Sequence, residues 1–298
     1  MDVGTILQFT LDVLNLGSLY ALMALGLVVI YGILKLVNFA YGELVMVAGY
    51  TLYLLNGSPL PWLIMALVAV CMAVIGGITT DLVAFRPVRA NSLTAMLITS
   101  FAFSTLLQNA ALLFISPRAR NVPLPEIFTQ SVTMLGVIIP VRNLITIASA
   151  FILLGAFTLV MKRTVLGMAL RAAASNFTMA RMVGIPANFI ITVAFAISGL
   201  FAGVVAMLWL GRIGAVVPGI GLEPLLVAFI ACVIGGMRSL VGAVVGGYLL
   251  ALIDVSFNYA LPPDLLSFRD AFTFTMVIVI LLLRPSGLIK GPDTGKRT

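Results

Sequence analysis

Ten carboxylates are all that this chain of 298 residues carries, and those inside apolar runs are the residues whose types and spacing allow chemistry. The stretch Asn38-Phe39-Ala40-Tyr41-Gly42-Glu43 joins the first two apolar segments and ends on one of them. An ionisable group in a membrane costs about 3 kcal/mol or more unless it faces a cavity or a partner. Glu43 therefore reads in two ways: as part of a discontinuous helix, kept because it meets a polar solute, or as the first-turn acid of an interhelical turn, pairing Lys35. Gly221-Leu222-Glu223-Pro224 repeats the device, a glycine followed closely by a carboxylate at a helix N-terminus, where the dipole favours negative charge. Gln108-Asn109 lies deep in another apolar run, where amides hydrogen-bond between helices, and Asp254 admits the same two readings, glue or pathway. The chemistry on offer is non-covalent: a carboxylate for an ammonium, helix N–H groups for a carboxylate, amides for neutral contacts. With no histidine and no serine-centred nucleophile motif, the base and nucleophile of an enzyme are missing. Cys71 and Cys232 sit in apolar segments as small hydrophobes, so no metal and no cofactor is implied.

The elements that must position these residues are read from hydropathy. The chain is 62% hydrophobic and 9% charged, against about one-quarter charged in soluble domains, which makes it an integral membrane protein. Its apolar residues come in unbroken blocks rather than at every second position, excluding an outer-membrane barrel. The fold class expected is an all-α polytopic bundle of eight or nine spans, with helices near Asp12–Lys35, Glu43–Asn56, Trp62–Phe85, Leu93–Phe114, Asn143–Met161, Phe189–Leu210, Leu222–Met237, Val241–Tyr259 and Asp270–Leu283. Glu43–Asn56 and Leu222–Met237 are too short for a hydrocarbon core of about 30 Å, so each is expected to continue into irregular backbone, tolerated only where protein or a cavity surrounds it. Short, glycine-interrupted segments in both halves are the pattern of a transporter built from a weak internal repeat. Gly199 with Gly203, and Gly242 with Gly246 and Gly247, are spaced for close helix packing. Asp2 and Asp12 ahead of the first run, with no Lys or Arg, are the wrong flank for a cleaved signal peptide, so the first helix is expected to stay.

The segment Lys162–Pro186 interrupts this apolar chain with four cations and no carboxylate, is rich in alanine, and ends at Gly184 and Pro186. It suits a short helix outside the bilayer, either held in a partner's groove or resting on anionic lipid. Placing it in the cytoplasm puts twelve Lys and Arg residues inside (Lys35, Arg86, Arg89, Lys162, Arg163, Arg171, Arg181, Arg238, Arg284, Lys290, Lys296, Arg297) against five outside (Arg118, Arg120, Arg142, Arg212, Arg269). That satisfies the positive-inside rule, with the N-terminus outside and the C-terminus cytoplasmic. The net charge of +7 follows from loops beside anionic head groups and needs no nucleic acid. The tail Gly291–Lys296 lacks the spacing and the Ser/Thr of a phosphate loop. A stand-alone secondary transporter would need a relay, which Glu43, Asp81, Glu223 and Asp254 could supply, but it leaves the basic segment unexplained.

Several stretches together resemble the permease subunits of bacterial ABC importers for branched-chain amino acids, of the LivH type. They are Gly17 to Leu22 through Asn38 to Glu43; Arg86-Pro87-Val88-Arg89 with Leu97-Ile98 and Gln108-Asn109; Gly167 and Arg171-Ala172 to Gly184-Ile185; Gly235 to Ala243 with Gly246-Gly247; and Arg284-Pro285-Ser286-Gly287-Leu288. The resemblance runs in order through nearly the whole chain. It implies a non-catalytic subunit in the bacterial inner membrane that pairs with a second homologous permease. Two cytoplasmic ATPases would drive the pair, and a soluble binding protein outside would supply it. Residues 1–298 would form one transmembrane domain, with residues 162–188 as the loop that seats in the ATPase through Arg171, Ala172, Ala180, Gly184 and Ile185. Asn38, Phe39, Gly42, Glu43, Gln108, Asn109 and Glu223 would line the solute path. One departure widens the implied substrate: relatives often carry a lysine shortly before the double glycine, whereas this chain has none between Met182 and Val279. Urea, short amides and other small solutes are moved by similar permeases.

Overall fold

Backbone groups in hydrocarbon must be satisfied within their own segment, and each of the nine apolar blocks is a helix. A computed structural model describes residues 3–89, 92–122, 124–134, 137–285 and 287–289. The helices are α1 (Val3–Leu34), α2 (Tyr41–Leu55), α3 (Trp62–Val88), α4 (Leu93–Phe114), α5 (Val141–Arg163), α6 (Val165–Ser175), α7 (Phe177–Met182), α8 (Ala187–Ile213), α9 (Leu222–Gly235), α10 (Leu240–Ala260) and α11 (Arg269–Leu283). The last is entered through a 3-10 segment, Pro263–Phe268. Among the described residues seven candidate spans are long and apolar enough to cross a membrane: α1, α3, α4, α5, α8, α10, and α11 with its 3-10 lead-in. The two blocks expected to be short are short, α2 with 15 residues and α9 with 14, and both are flanked by non-helical backbone. The order long, short, long, long recurs in α1–α4 and, with the 3-10 lead-in counted as part of α11, in α8–α11, the pattern of a weak internal repeat.

Polar side chains start several helices by accepting an otherwise orphaned first-turn N–H. Ser92 accepts from Ala95 at α4, Thr164 from Gly167 at α6, Asn176 from Met179 at α7 and Ser239 from Gly242 at α10. The chain forms two compact units: Met1–Val28, Glu126–Leu153 and Val227–Thr298 make one, and Val29–Pro125 with Leu154–Leu226 the other. In the first, Gly247 lies against the backbone of Tyr20 and Ala21, bringing α10 onto α1. In the second, Gly199 and Gly203 on α8 lie against Ala73 and Val70 of α3, the close approach that small-residue spacing permits.

Three details differ from expectation. α1 begins at Val3 rather than near Asp12, so Asp12 lies within it and accepts from Tyr259 Oη (2.9 Å) and Gln8 Nε2 (3.2 Å). The connection before α5 carries a hairpin, Ser131–Met134 against Val137–Pro140, with Val132 opposite Ile139; β-branched runs separated by two residues including a glycine were its signal. The basic segment is two helices, α6 and α7, because Asn176 turns out of one and caps the next. The tail Gly291–Lys296, with Asp2, Ser286, Lys290 and Arg297, lies outside the described residues.

Candidate functional site

The polar stretch before α2 is built by its own side chains. Asn38 Oδ1 accepts from the Ala40 N–H at 3.1 Å, the local turn that asparagine favours. Asn38 is buried, and among the described residues its Nδ2 has no hydrogen-bond partner. No side chain caps α2. Gly42 in its first turn lies against Gly221, which immediately precedes α9: a Cβ built on either glycine would fall on the other's carbonyl. The two short helices therefore begin backbone to backbone, and their positive dipole ends converge. Such a point favours anionic groups.

Glu43 supplies one. It is 2% exposed, and its Oε1 accepts from Ser104 Oγ at 2.9 Å and Gln108 Nε2 at 2.7 Å. Both donors are on α4, four residues apart and so on one face. Phe101 extends that face by one turn and meets Phe39 edge-on, with centroids 6.1 Å apart. The second carboxylate oxygen, Oε2, is buried without a hydrogen-bond partner among the described residues. Of the expected pathway residues, Asn38, Phe39, Gly42, Glu43 and Gln108 are thus drawn toward the start of α2. Asn109 is not: one residue on, it is exposed and donates to the Thr105 carbonyl of its own helix at 2.8 Å. Glu223 is also exposed, and the residue of its motif that reaches the site is Gly221. Ser104 was missed, although its spacing of four from Gln108 was readable.

Because each glycine faces main chain, relief requires a helix to move. Overpacking costs about 1–3 kcal/mol when side chains can yield; Gly221→Val and Gly42→Val are expected to reach the top of that range, seen as lower thermal stability in detergent. Gly219→Ala, where an added Cβ meets nothing within 4 Å, should be silent. Equal stability of all three variants would refute the close approach.

Two other carboxylates proposed for a relay are held by arginines. Asp81 is fully buried on a π-helical turn, Thr80–Phe85, with Phe85 also buried. It pairs with Arg89 and accepts from Thr192 Oγ1 at 2.6 Å, while Arg89 Nη1 donates to Asn188 Oδ1 at 3.0 Å. This joins the end of α3 to the start of α8. Asp254 pairs with Arg269 Nε at 3.0 Å and accepts from Tyr20 Oη at 3.2 Å.

In the basic segment, α6 turns Gly167, Leu170 and Ala173 inward and leaves Arg171 exposed. Ala172 and Ile185 are half-buried, Gly184 is exposed, and Ala180 is buried, so Ala180 cannot present its side chain to a partner. The outward face also carries Met179, Met182 and Val183, 59%, 76% and 82% exposed. The sequence reading did not single out these adaptable apolar side chains. Lys35 connects this segment to the polar stretch: its ammonium donates to the Gly32 carbonyl in α1 and, at 3.1 Å, to the Ala174 carbonyl in α6. A cation between the C-terminal carbonyls of two helices is favoured by both dipoles.

The model of the family described as the branched-chain amino acid transport system permease component matches residues 9–281. The chain belongs to that family. This permease is 33% identical to the high-affinity branched-chain amino acid transport system permease protein BraD of Pseudomonas aeruginosa, over 97% of each chain. It is 30% identical to the LivH protein of Escherichia coli, again over 97% of each. A third relative, the probable branched-chain amino acid transport permease protein LivH of Methanocaldococcus jannaschii, is 28% identical over 94% of the permease and 91% of the relative. The permease is a multi-pass membrane protein.

Proposed function

We propose that this permease forms the translocation pathway of an ATP-driven importer for branched-chain or related amino acids in the bacterial inner membrane. The observation that carries the reading is the Glu43 carboxylate, buried at a helix break with one oxygen held and the other without a hydrogen-bond partner among the described residues. A zwitterion needs brief partners for two charges: Glu43 Oε2 for the ammonium, and the converging N-termini of α2 and α9 for the carboxylate. Ion pairing of Asp81 and Asp254 favours this over a stand-alone transporter with its own proton relay. In this reading a second homologous permease lies beside the chain, a binding protein delivers the solute from outside, and two ATPases drive the pair, one of them docking on residues 162–188. Arg171, Gly184, Met182 and Val183 then make the cytoplasmic contact. The Asn38 Nδ2, without a hydrogen-bond partner among the described residues, and the Gln108 side chain support a second reading, in which urea or a short amide is the solute.

Proteoliposomes holding both permeases and the ATPases are expected to take up leucine only with ATP and a loaded binding protein. Uptake driven by an ion gradient without ATP rejects the assignment, and preference for urea selects the second reading. Orientation is tested in a background lacking Cys71: cysteine at Ala119 should react with an impermeant reagent added outside, and cysteine at Ser175 should not. Ser175 is preferred to Asn176 because the latter caps α7. The opposite labelling would put the ATPase contact in the wrong compartment.

A further inference from the structure

At the junction of α3, α7 and α8 lies a cavity of about 680 Å³ whose lining includes Arg86, Arg89 and Arg181 and no carboxylate. Asp81 neutralises Arg89, but among the described residues no carboxylate pairs with Arg86 or Arg181. Burial draws the Arg89 guanidinium below its ordinary value, Asp81 opposes this, and the neighbouring charge of Arg86 adds to it. Arg89 also keeps a buried Nε without a hydrogen-bond partner among the described residues. Ala187 and Asn188 bring the start of α8 to the same cavity, and no side chain caps that helix. Three guanidiniums with one counter-charge, joined by a helix N-terminus, make an anion receptor. Guanidinium geometry favours carboxylate or phosphate oxygens in pairs.

Position narrows the anion. The cavity sits where two apolar spans end, Trp62–Val88 and Ala187–Ile213, which is the level of lipid head groups. One turn into the bilayer from Arg86, Leu82 and Val83 are 41% and 65% exposed, and beside Asn188, Phe189 is 57% exposed. These supply apolar surface for acyl chains next to the basic cavity. We propose that the cavity binds the phosphate of an anionic phospholipid head group. The site does not depend on which solute is carried, and the bound lipid would lie beneath Gly184, which also lines the cavity.

The test uses the full-length permease purified in detergent, titrated with phosphatidylglycerol, phosphatidylcholine and inorganic phosphate and read by native mass spectrometry. Phosphatidylglycerol should bind about twenty-five-fold better than phosphatidylcholine, since each of the two arginines without a counter-charge contributes about fivefold for anionic lipid. Arg86→Gln with Arg181→Gln should erase that preference, while Arg86→Lys with Arg181→Lys should keep most of it, separating loss of charge from loss of fold. Displacement of phosphatidylglycerol by inorganic phosphate would support recognition through the phosphate group. Binding of inorganic phosphate with no preference between the lipids would assign the cavity to a free anion and overturn the lipid proposal. If the glutamine variant binds phosphatidylglycerol normally but no longer retains the ATPase subunits, an acidic segment of the partner fills the cavity and the proposal falls.

Discussion

Glu43→Gln is expected to lower uptake of a zwitterionic amino acid by about tenfold to a hundredfold while assembly with the partner subunits and basal ATP hydrolysis stay unchanged. Glutamine keeps the size of the side chain and one oxygen to accept from Ser104 or Gln108, so packing against α4 survives. What disappears is the charge on the oxygen left free. A hydrogen bond to a charged group contributes about 1.5–3 kcal/mol, and 1.4 kcal/mol is a factor of about ten. Because a binding protein would already select the solute, the loss should appear in the transport step rather than in solute capture. Neutral urea, if carried, should be far less affected. Failure of the variant to assemble would make Glu43 a structural anchor for α4, and unchanged uptake would move the pathway elsewhere.

Gly184→Trp is expected to abolish substrate-stimulated ATP hydrolysis in the reconstituted complex while leaving the protein inserted. Gly184 follows α7 with φ +86°, a left-handed conformation, and a Cβ placed there meets nothing within 4 Å. Any side chain thus pays roughly 1–2 kcal/mol of backbone strain, yet finds open space within the permease itself. Gly184→Asn isolates the strain, since asparagine tolerates this region better than other residues, and should retain most of the stimulation. The difference between tryptophan and asparagine then measures what a partner surface cannot accommodate. Equal loss in both would trace the effect to the turn alone, and stimulation preserved in both would remove Gly184 from the contact. Lys35, bonded to α6 at Ala174 and three residues before Asn38, offers a direct route from this surface to the polar stretch. Its replacement by methionine should weaken coupling with little loss of ATPase binding.

Membership of the membrane class, the helical blocks, the two short segments and the basic interruption at Lys162–Pro186 were all readable from the chain, because each depends on hydropathy and charge within a few turns. The caps at Ser92, Thr164 and Ser239 belong to the same local level. Even the repeated glycine–carboxylate device at Gly42-Glu43 and Gly221-Leu222-Glu223 could be recognised as a pair. That the two glycines touch could not, since they lie 179 positions apart and only the packing of α2 and α9 brings their backbones together. Nor could local sequence choose between Gln108 and Asn109. Neighbours on a helix point about 100° apart, and it is the rotation of α4 against α2 that turns Gln108 to Glu43 and leaves Asn109 exposed. Asp81, Glu43 and Asp254 looked alike as acids in apolar runs, but the fold gave Arg89 to the first and Arg269 to the last, leaving Glu43 with hydroxyl and amide donors. An apolar run can specify its own helix through local hydrogen bonds, and Arg89 reaches Asp81 from the end of the same helix, whereas the partners of Glu43 are fixed only when α2 meets α4, distant in sequence.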